Sequence, residues 1–190
     1  MASAMSDDRD MWPRSDRAVM ALLERADPRV LHAFMCDCAE HAWQACVSDY
    51  RAAGFTSLPD LEPIAIKRRW LLGQASDQEL REAQSSAVGG LYWGHPLELG
   101  AAVLGAAWQP GAALSLAIDE QYAERMTDFE SASEAACEVM HEAARAVVLV
   151  AFNARWTSQD TTTASVAAQR AEAAEIAWQR RHLATLVRQP

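Results

Sequence analysis

Residues 31–43, with the sequence LHAFMCDCAEHAW, decide the fold class of this chain. At 100° of rotation per residue, one stripe of a helix contains Leu31, Phe34, Met35, Cys38, Ala42 and Ala45. That spacing predicts an amphipathic helix with one face in a core. The thiol in this stripe is expected to be buried, where it behaves as a small apolar group.

The same stretch contains two acids, a thiol and an imidazole within residues 37–41, a combination that a purely structural helix does not need. Asp37 and His41 are four residues apart, so they stack on one face at the edge of the core stripe. Glu40 points the other way. We therefore expect an Asp–His pair beside the core and a separate, exposed glutamate.

The rest of the chain supports a helical fold. Hydrophobic residues make up 51% of its 190 residues, which is enough for a sizeable core, and alanine, the best helix former, dominates them. Strand signals are weak, because β-branched residues are sparse. We predict a flexible N-terminal leader over 1–14 and a single all-α domain over 15–190, a bundle of about seven or eight helices.

Capping and breaking residues indicate where the helices begin and end. Ser15 or Asp16 caps the first helix, and Pro28 starts the second. Capping boxes begin at Ser76 and Ser131, each with a glutamate three residues later. The predicted helices cover about residues 15–26, 28–53, 63–73, 76–88, 97–108, 111–126, 131–156 and 164–187.

The charge balance limits the partners that we expect. The net charge is -9, so we predict no nucleic-acid partner and favour a basic protein. The longest uncharged run, 99–118, is interrupted by Gln109-Pro110-Gly111, so we predict no membrane span. The four cysteines form no disulfide framework and the chain opens without a signal peptide, which favours a cytoplasmic location.

Two further helices have core stripes that include or adjoin charged groups. In the last helix, Ile176, Leu183 and Val187 define the predicted stripe, and Arg180 falls within it. A guanidinium there needs an acid, and the candidates are Asp37, which we favour, and Glu142. Trp178 is expected to face nearly the opposite way. In the long helix, Val139, Ala143, Ala146 and Val150 define the stripe, and its edge residue Glu142 can pair with Arg145.

No complete catalytic or metal-binding motif is present. Glu138 and His141 have the Glu-x-x-His spacing of di-metal bundles, but those sites need two such motifs. We therefore predict no catalytic residues, no metal and no cofactor. Two alternatives remain open: a helical metal-dependent or acid–base enzyme that uses Asp37, His41, Glu138 and His141, and a homo-oligomeric scaffold.

Three segments together resemble a known family. They are 37–41 (DCAEH), 177–180 (AWQR) with the glutamate-containing stretch before it, and the Ala-Ile, Trp and Gly elements of 65–83. The family is an immunity protein family of bacterial polymorphic toxin systems. The chain departs from the family's pattern at 61–63, where the family has a basic segment, and in its middle, where it holds fewer histidines.

The resemblance implies an all-α protein that neutralises a cognate toxin by stoichiometric binding. The positions that match the family's motifs are Asp37, Glu40, His41, Trp178, Gln179 and Arg180. If Arg180 pairs with Asp37, the motif clips the second and last helices together, and the surface that recognises the toxin lies elsewhere. The chain's acids are dense near the start of the long helix, so we place that surface at Glu124, Asp128, Glu130 and Glu134.

Overall fold

The structure, a computed structural model, describes residues 12–52, 61–83, 131–155 and 161–188. In these ranges the chain forms six helices and no strand, which confirms the all-α class. The helices are α1 (Arg17–Leu23), α2 (Pro28–Ala52), α3 (Glu62–Leu71), α4 (from residue 77 to the end of the described range at 83), α5 (Ala132–Asn153) and α6 (Thr161–Leu186). Six is fewer than the seven or eight predicted; the helices predicted at 97–108 and 111–126 lie outside the described residues.

The predicted starts of α1 to α5 are confirmed to within one or two residues, whereas α6 begins at Thr161, earlier than the predicted start near residue 164. Asp16 caps α1, because its Oδ1 accepts hydrogen bonds from the N–H groups of residues 18 and 19 at 3.0 and 3.2 Å. Pro28 is the first residue of α2. At α4 the capping box closes in both directions: the Glu79 N–H donates to Ser76 Oγ at 3.2 Å, and the Ser76 N–H donates to Glu79 Oε2 at 2.8 Å.

The end of α3 is set by Gly73, whose φ of +70° is the left-handed conformation that glycine adopts without a steric penalty. The Gly73 N–H donates to the carbonyl of Trp70 at 2.9 Å, and the Gln74 N–H donates to the carbonyl of Arg69 at 2.7 Å. These two bonds form a Schellman motif, which satisfies the last carbonyls of the helix. The chain therefore turns sharply and enters α4.

The core lies between α2, α5 and α6. α5 is the central helix of this arrangement, as predicted, since it packs against α2, α6 and α1, while α3 packs against α2. The stripe predicted for α5 is buried as expected, at Val139, Ala143, Ala146 and Val150. On α2, Leu31, Phe34, Met35, Cys38 and Ala42 are buried as predicted, but Ala45 is exposed, so the buried stripe ends earlier than predicted.

The core stripe predicted for α6 is wrong, because the buried face of this helix is rotated about the helix axis relative to the predicted face. The buried residues are Ala164, Ala168, Glu175, Gln179 and Leu183, so a glutamate and a glutamine take core positions. Arg180 is exposed, and Trp178 is half-buried against the core rather than facing away from it. The prediction from apolar periodicity failed because two polar residues, Glu175 and Gln179, are buried. Hydrogen bonds satisfy their polar groups, and the sequence does not show these bonds.

The N-terminal residues just before α1 are packed into the structure, although the sequence placed 12–14 in a leader. Pro13 is buried, and Trp12 packs against the core. Within the described part of the chain, no helix is both long enough and apolar enough to cross a membrane.

Candidate functional site

The polar residues of the motif segments meet on one side of the bundle, where α2, α3 and α6 come together. Three stacked rings form the centre of this site, and acids, an amide and a guanidinium hold them in place. We call it the His–Trp–His cluster, and its members are Asp37, Glu40, His41, Arg68, Glu175, Trp178, Gln179 and His182.

The centre of the cluster is an indole stacked with two imidazoles. The rings of His41 and Trp178 are parallel within 5°, with centroids 3.8 Å apart. His182 also stacks with the indole, at a centroid distance of 4.9 Å and an interplanar angle of 18°. Because His41 lies on α2 and the other two rings lie on α6, the stack joins these helices through aromatic contact.

A buried carboxylate orients the first imidazole. His41 Nδ1 lies 2.8 Å from Glu175 Oε2, and Gln179 Nε2 donates to Glu175 Oε1 at 3.0 Å. The Glu175 side chain is only 1% exposed, whereas that of His41 is 34% exposed. A buried carboxylate is costly unless it is hydrogen-bonded, so these two partners are what allow Glu175 to occupy the core stripe of α6.

The buried amide of Gln179 ties the cluster to two other parts of the molecule. Its Nε2 also donates to the carbonyl of Met140 on α5 at 3.0 Å. Its Oε1 accepts a hydrogen bond from Trp12 Nε1 at 2.8 Å. Both polar ends of the amide are therefore satisfied, and its orientation is determined by its partners.

Asp37 has two partners, one on each flanking helix. Its Oδ2 lies 2.6 Å from His182 Nε2 on α6, and its Oδ1 accepts a bond from Arg68 Nη2 on α3 at 2.6 Å. The same Arg68 nitrogen donates to Glu40 Oε2 at 2.8 Å. The sequence predicts an isolated, exposed Glu40; the structure instead joins it to Asp37 through one guanidinium.

The charge of Arg68 is stabilised by these acids. Burial by itself would lower the pKa of the guanidinium, but the hydrogen bond and negative charge of Asp37, together with Glu40, raise that pKa overall. Arg68 therefore stays charged and serves as a fixed cation between α2 and α3.

Arg180 does not pair with Asp37, which corrects the pairing predicted from the sequence. Its Nη2 lies 2.6 Å from Asp16 Oδ2, and its guanidinium lies 4.9 Å from the centroid of the Trp12 ring. The Arg180 side chain is 52% exposed, since the rotation of α6 places it outside the core. Burial opposes the charge of Asp16, but backbone N–H bonds and Arg180 lower its pKa overall.

The four residues of the enzyme alternative have separate partners in two places. Asp37 and His41 belong to the His–Trp–His cluster. Glu138 lies 3.8 Å from Arg14, and His141 Nδ1 lies 3.0 Å from the carbonyl of Trp12, so both face the N-terminal segment. Across ranges 12–52, 61–83, 131–155 and 161–188, no three His, Cys, Asp or Glu side chains are grouped so that they could hold a metal ion.

The local pair predicted on α5 is confirmed. Arg145 Nη1 donates to Glu142 Oε1 at 2.9 Å. Burial is the main reason that the pKa of Glu142 is raised, and Arg145 offsets part of this effect. The pair lies beside the core and contacts no member of the His–Trp–His cluster through a described hydrogen bond.

Cys36, Cys38 and Cys137 are buried and free. Burial raises the pKa of Cys36 and of Cys137 to about 11, and it raises that of Cys38 well above its ordinary value. Since the thiolate is the nucleophilic form, these three thiols are poorly suited to covalent catalysis at neutral pH.

Of the four residues of the predicted acidic surface, the structure describes Glu134. Glu124, Asp128 and Glu130 lie outside the described residues. Glu134 lies in the first turn of α5, half-buried, and its N–H donates to Ser131 Oγ at 3.3 Å. An acid in the first turn interacts favourably with the helix dipole, which gives Glu134 a local structural role.

Three members of the cluster do not emerge from the sequence reasoning: Arg68, Glu175 and His182. A signal for the α6 residues is present, because Glu175, Trp178, Gln179 and His182 follow the i, i+3, i+4, i+7 spacing of one helix face. Apolar periodicity does not reveal this face, because its residues are mostly polar and do not form an apolar stripe. Arg68 gives no comparable signal, because its partners lie on another helix.

No family model, curated protein or solved structure matches this chain.

Proposed function

We propose that this chain is a cytoplasmic immunity-type protein that neutralises a cognate bacterial toxin by stoichiometric binding. One observation carries the proposal: the two motif segments on which the family resemblance depends, near opposite ends of the chain, meet in a single network. His41 of the first segment lies flat on Trp178 of the second, at 3.8 Å. Motifs that share a tertiary contact have a common physical reason to occur together.

Two further features favour binding over chemistry. The polar groups of the His–Trp–His cluster are largely bonded to one another, so the cluster acts as a rigid clasp between α2, α3 and α6. The net charge of -9 favours a basic partner, because charge complementarity speeds association and selects against wrong partners.

An acid–base enzyme is the second candidate, and one contact favours it. Glu175 orients the half-exposed imidazole of His41 at 2.8 Å, which is the relation that a general base needs with its positioning carboxylate. Purified protein assayed against ester and phosphodiester substrates tests this reading. Turnover that disappears in His41→Gln but persists in the surface variant Glu172→Gln would replace the binding proposal with this one.

The binding proposal is tested with the protein encoded immediately upstream. Its C-terminal domain, produced alone, should arrest growth, and co-production of this chain should restore it. The purified pair should elute as a one-to-one complex in gel filtration. If the upstream domain is toxic and this chain neither restores growth nor binds it at micromolar concentration, the proposal fails.

Association kinetics test whether charge guides the encounter. The association rate should fall as salt rises, because the Debye length is only about 8 Å near physiological ionic strength. The variant with Glu124→Gln, Asp128→Asn, Glu130→Gln and Glu134→Gln should associate more slowly if these acids face the partner. A rate that is independent of salt and of these substitutions would show that the predicted acidic surface does not steer the toxin.

A further inference from the structure

The carboxylates of the His–Trp–His cluster determine which nitrogen of each imidazole carries a proton. A carboxylate only accepts hydrogen bonds, so a neutral His41 donates from Nδ1 to Glu175, and a neutral His182 donates from Nε2 to Asp37. The second nitrogen of each ring, Nε2 of His41 and Nδ1 of His182, is then an acceptor. No described residue bonds either of these two nitrogens.

The cluster also carries an excess of negative charge. Its three carboxylates, those of Asp37, Glu40 and Glu175, are opposed by one guanidinium, so the net charge is 1 − 3 = −2 when both imidazoles are neutral. The rim is open to solvent, because the side chains of Glu40 and Arg68 are 36% and 37% exposed. When both imidazoles are neutral, the site therefore offers acceptors and negative charge, and because the Glu175 carboxylate is buried, the most accessible of these charges is that of Glu40 at the rim.

The cluster is held rigidly before any partner arrives. Trp178 stacks with both imidazoles, and His41 is fixed by a buried carboxylate that Gln179 also holds. Binding to such a site loses little side-chain entropy, which raises affinity for a given set of contacts. Partly buried tryptophans with polar rims are also frequent centres of binding energy at protein interfaces.

We propose that the His–Trp–His cluster is the recognition site for an arginine side chain of the toxin. The inference rests on the proposed function, and it places the main contact between α2, α3 and α6 rather than at residues 124–134. A guanidinium presents five donors in one plane, which suits several acceptors at once, and its flat face stacks on aromatic rings. A lysine ammonium matches neither feature as well.

The probe for a direct test is an acetylated and amidated peptide of three Gly-Arg repeats. Its matched control carries citrulline in place of arginine, which keeps the shape and removes the charge. Isothermal titration at neutral pH should show tighter binding of the arginine peptide to the wild-type protein. We expect the citrulline peptide to bind about tenfold or more weakly, a loss of roughly 1.4 kcal/mol.

Three variants show whether this binding occurs at the cluster. Glu40→Gln removes one negative charge from the rim. His182→Phe removes one hydrogen-bond acceptor and, because a neutral imidazole carries no charge, leaves the net charge of the cluster unchanged. Each should weaken the arginine peptide about five- to tenfold, the loss of one charged or polar contact. Glu172→Gln removes the same charge from an exposed position on α6 outside the cluster. This variant should bind the arginine peptide as tightly as the wild-type protein does.

The inference is overturned if the arginine peptide fails to bind, or if Glu40→Gln and His182→Phe bind it as tightly as Glu172→Gln does. Thermal unfolding shows whether each variant is folded, and Glu40→Gln decides if His182→Phe is not. The same variants separate this inference from the proposed function. If Glu40→Gln and His182→Phe bind the toxin as tightly as the wild-type protein does, the proposed site is wrong but the proposed function stands. If the wild-type protein does not bind the toxin, the proposed function is wrong.

Discussion

At the scale of single residues, the burial of Glu175 has the largest energetic consequence in the cluster. Its carboxylate is 1% exposed and is held by His41 and Gln179. A buried acid of this kind contributes less to stability than an apolar side chain of the same size would, but removing either partner leaves an unsatisfied polar group. The role of the Glu175 carboxylate is to orient the His41 imidazole.

Glu175→Ala should destabilise the protein by about 2–3 kcal/mol. This is below the ~3–5 kcal/mol typical of a broken buried pair, because His41 still reaches water. Urea unfolding followed by circular dichroism measures the change, with exposed Glu172→Ala as the control. A loss under about 0.5 kcal/mol, the range of surface substitutions, would show that the pair is not structurally important.

Arg180→Ala should have a small effect, about 1 kcal/mol or less. The guanidinium is half-exposed, and its two contacts, with Asp16 and with the Trp12 ring, are of the weak surface kind. The melting temperature of the variant is the measurement. A loss of about 3 kcal/mol or more would instead match a buried ion pair, as first expected from the sequence, and would contradict the exposed placement of this side chain.

At the scale of elements, the turn between α3 and α4 depends on one glycine. Gly73 closes α3 through its left-handed conformation, and the helix begins again at the Ser76 capping box. Arg68 lies on α3, five residues before Gly73, and bonds Asp37 on α2. The glycine therefore closes the helix that carries a residue of the cluster.

Gly73→Ala should cost about 1–2 kcal/mol, because a side chain destabilises the left-handed backbone. Nothing lies within 4 Å of the added Cβ, so a steric clash adds nothing to this figure. Gly73→Asn should cost less, since asparagine tolerates that conformation better. Urea unfolding measures both, with exposed Gln74→Ala for comparison. If the wild-type protein and Gly73→Ala are equally stable, residue 73 does not adopt the left-handed conformation described above.

At the scale of the whole molecule, the packing of α2 against α5 keeps the thiols away from solvent. Cys36, Cys38 and Cys137 all belong to the buried core. Burial raises the pKa of each of them, so the native state retains protons that the unfolded chain releases at alkaline pH. Folding and thiol protonation are therefore linked.

The stability of the protein should decline between pH 9 and pH 11. A thiol with a raised pKa in the native state contributes its full stability below the ordinary value of 9.0, and this contribution is lost as pH rises toward about 11. Each such thiol contributes up to ~1.4 kcal/mol per pH unit. Urea unfolding at pH 8, 9.5 and 10.5 measures the decline.

The double variant Cys36→Ala/Cys137→Ala is the control for this decline. It should lose stability less steeply over the same pH range, because two of the linked groups are gone. Tyrosine and lysine side chains titrate in this range in both proteins, so only the difference between the two slopes reports on the thiols. Equal slopes would show that Cys36 and Cys137 ionise in the native state as readily as in the unfolded chain.

Local signals in the sequence determined the helical class, the starts of α1 to α5 and most of the core stripes of α2 and α5. Asp16, Pro28 and the Ser76 box act on backbone groups within four residues of themselves, so the sequence displays both partners. The stripes of α2 and α5 were predicted because their buried side chains are nearly all apolar, and periodicity reads apolar residues directly.

Only the tertiary structure decided which partner each polar side chain has. Asp37 is bonded to Arg68 and His182 rather than to Arg180, and this choice depends on how α6 is rotated about its axis. That rotation is set by packing against α2 and α5, together with the hydrogen bonds that allow Glu175 and Gln179 to be buried. Apart from the bond between Glu175 and Gln179, which are four residues apart, these contacts join residues more than twenty-five positions apart, and a pairing over such a separation leaves no local pattern in the sequence.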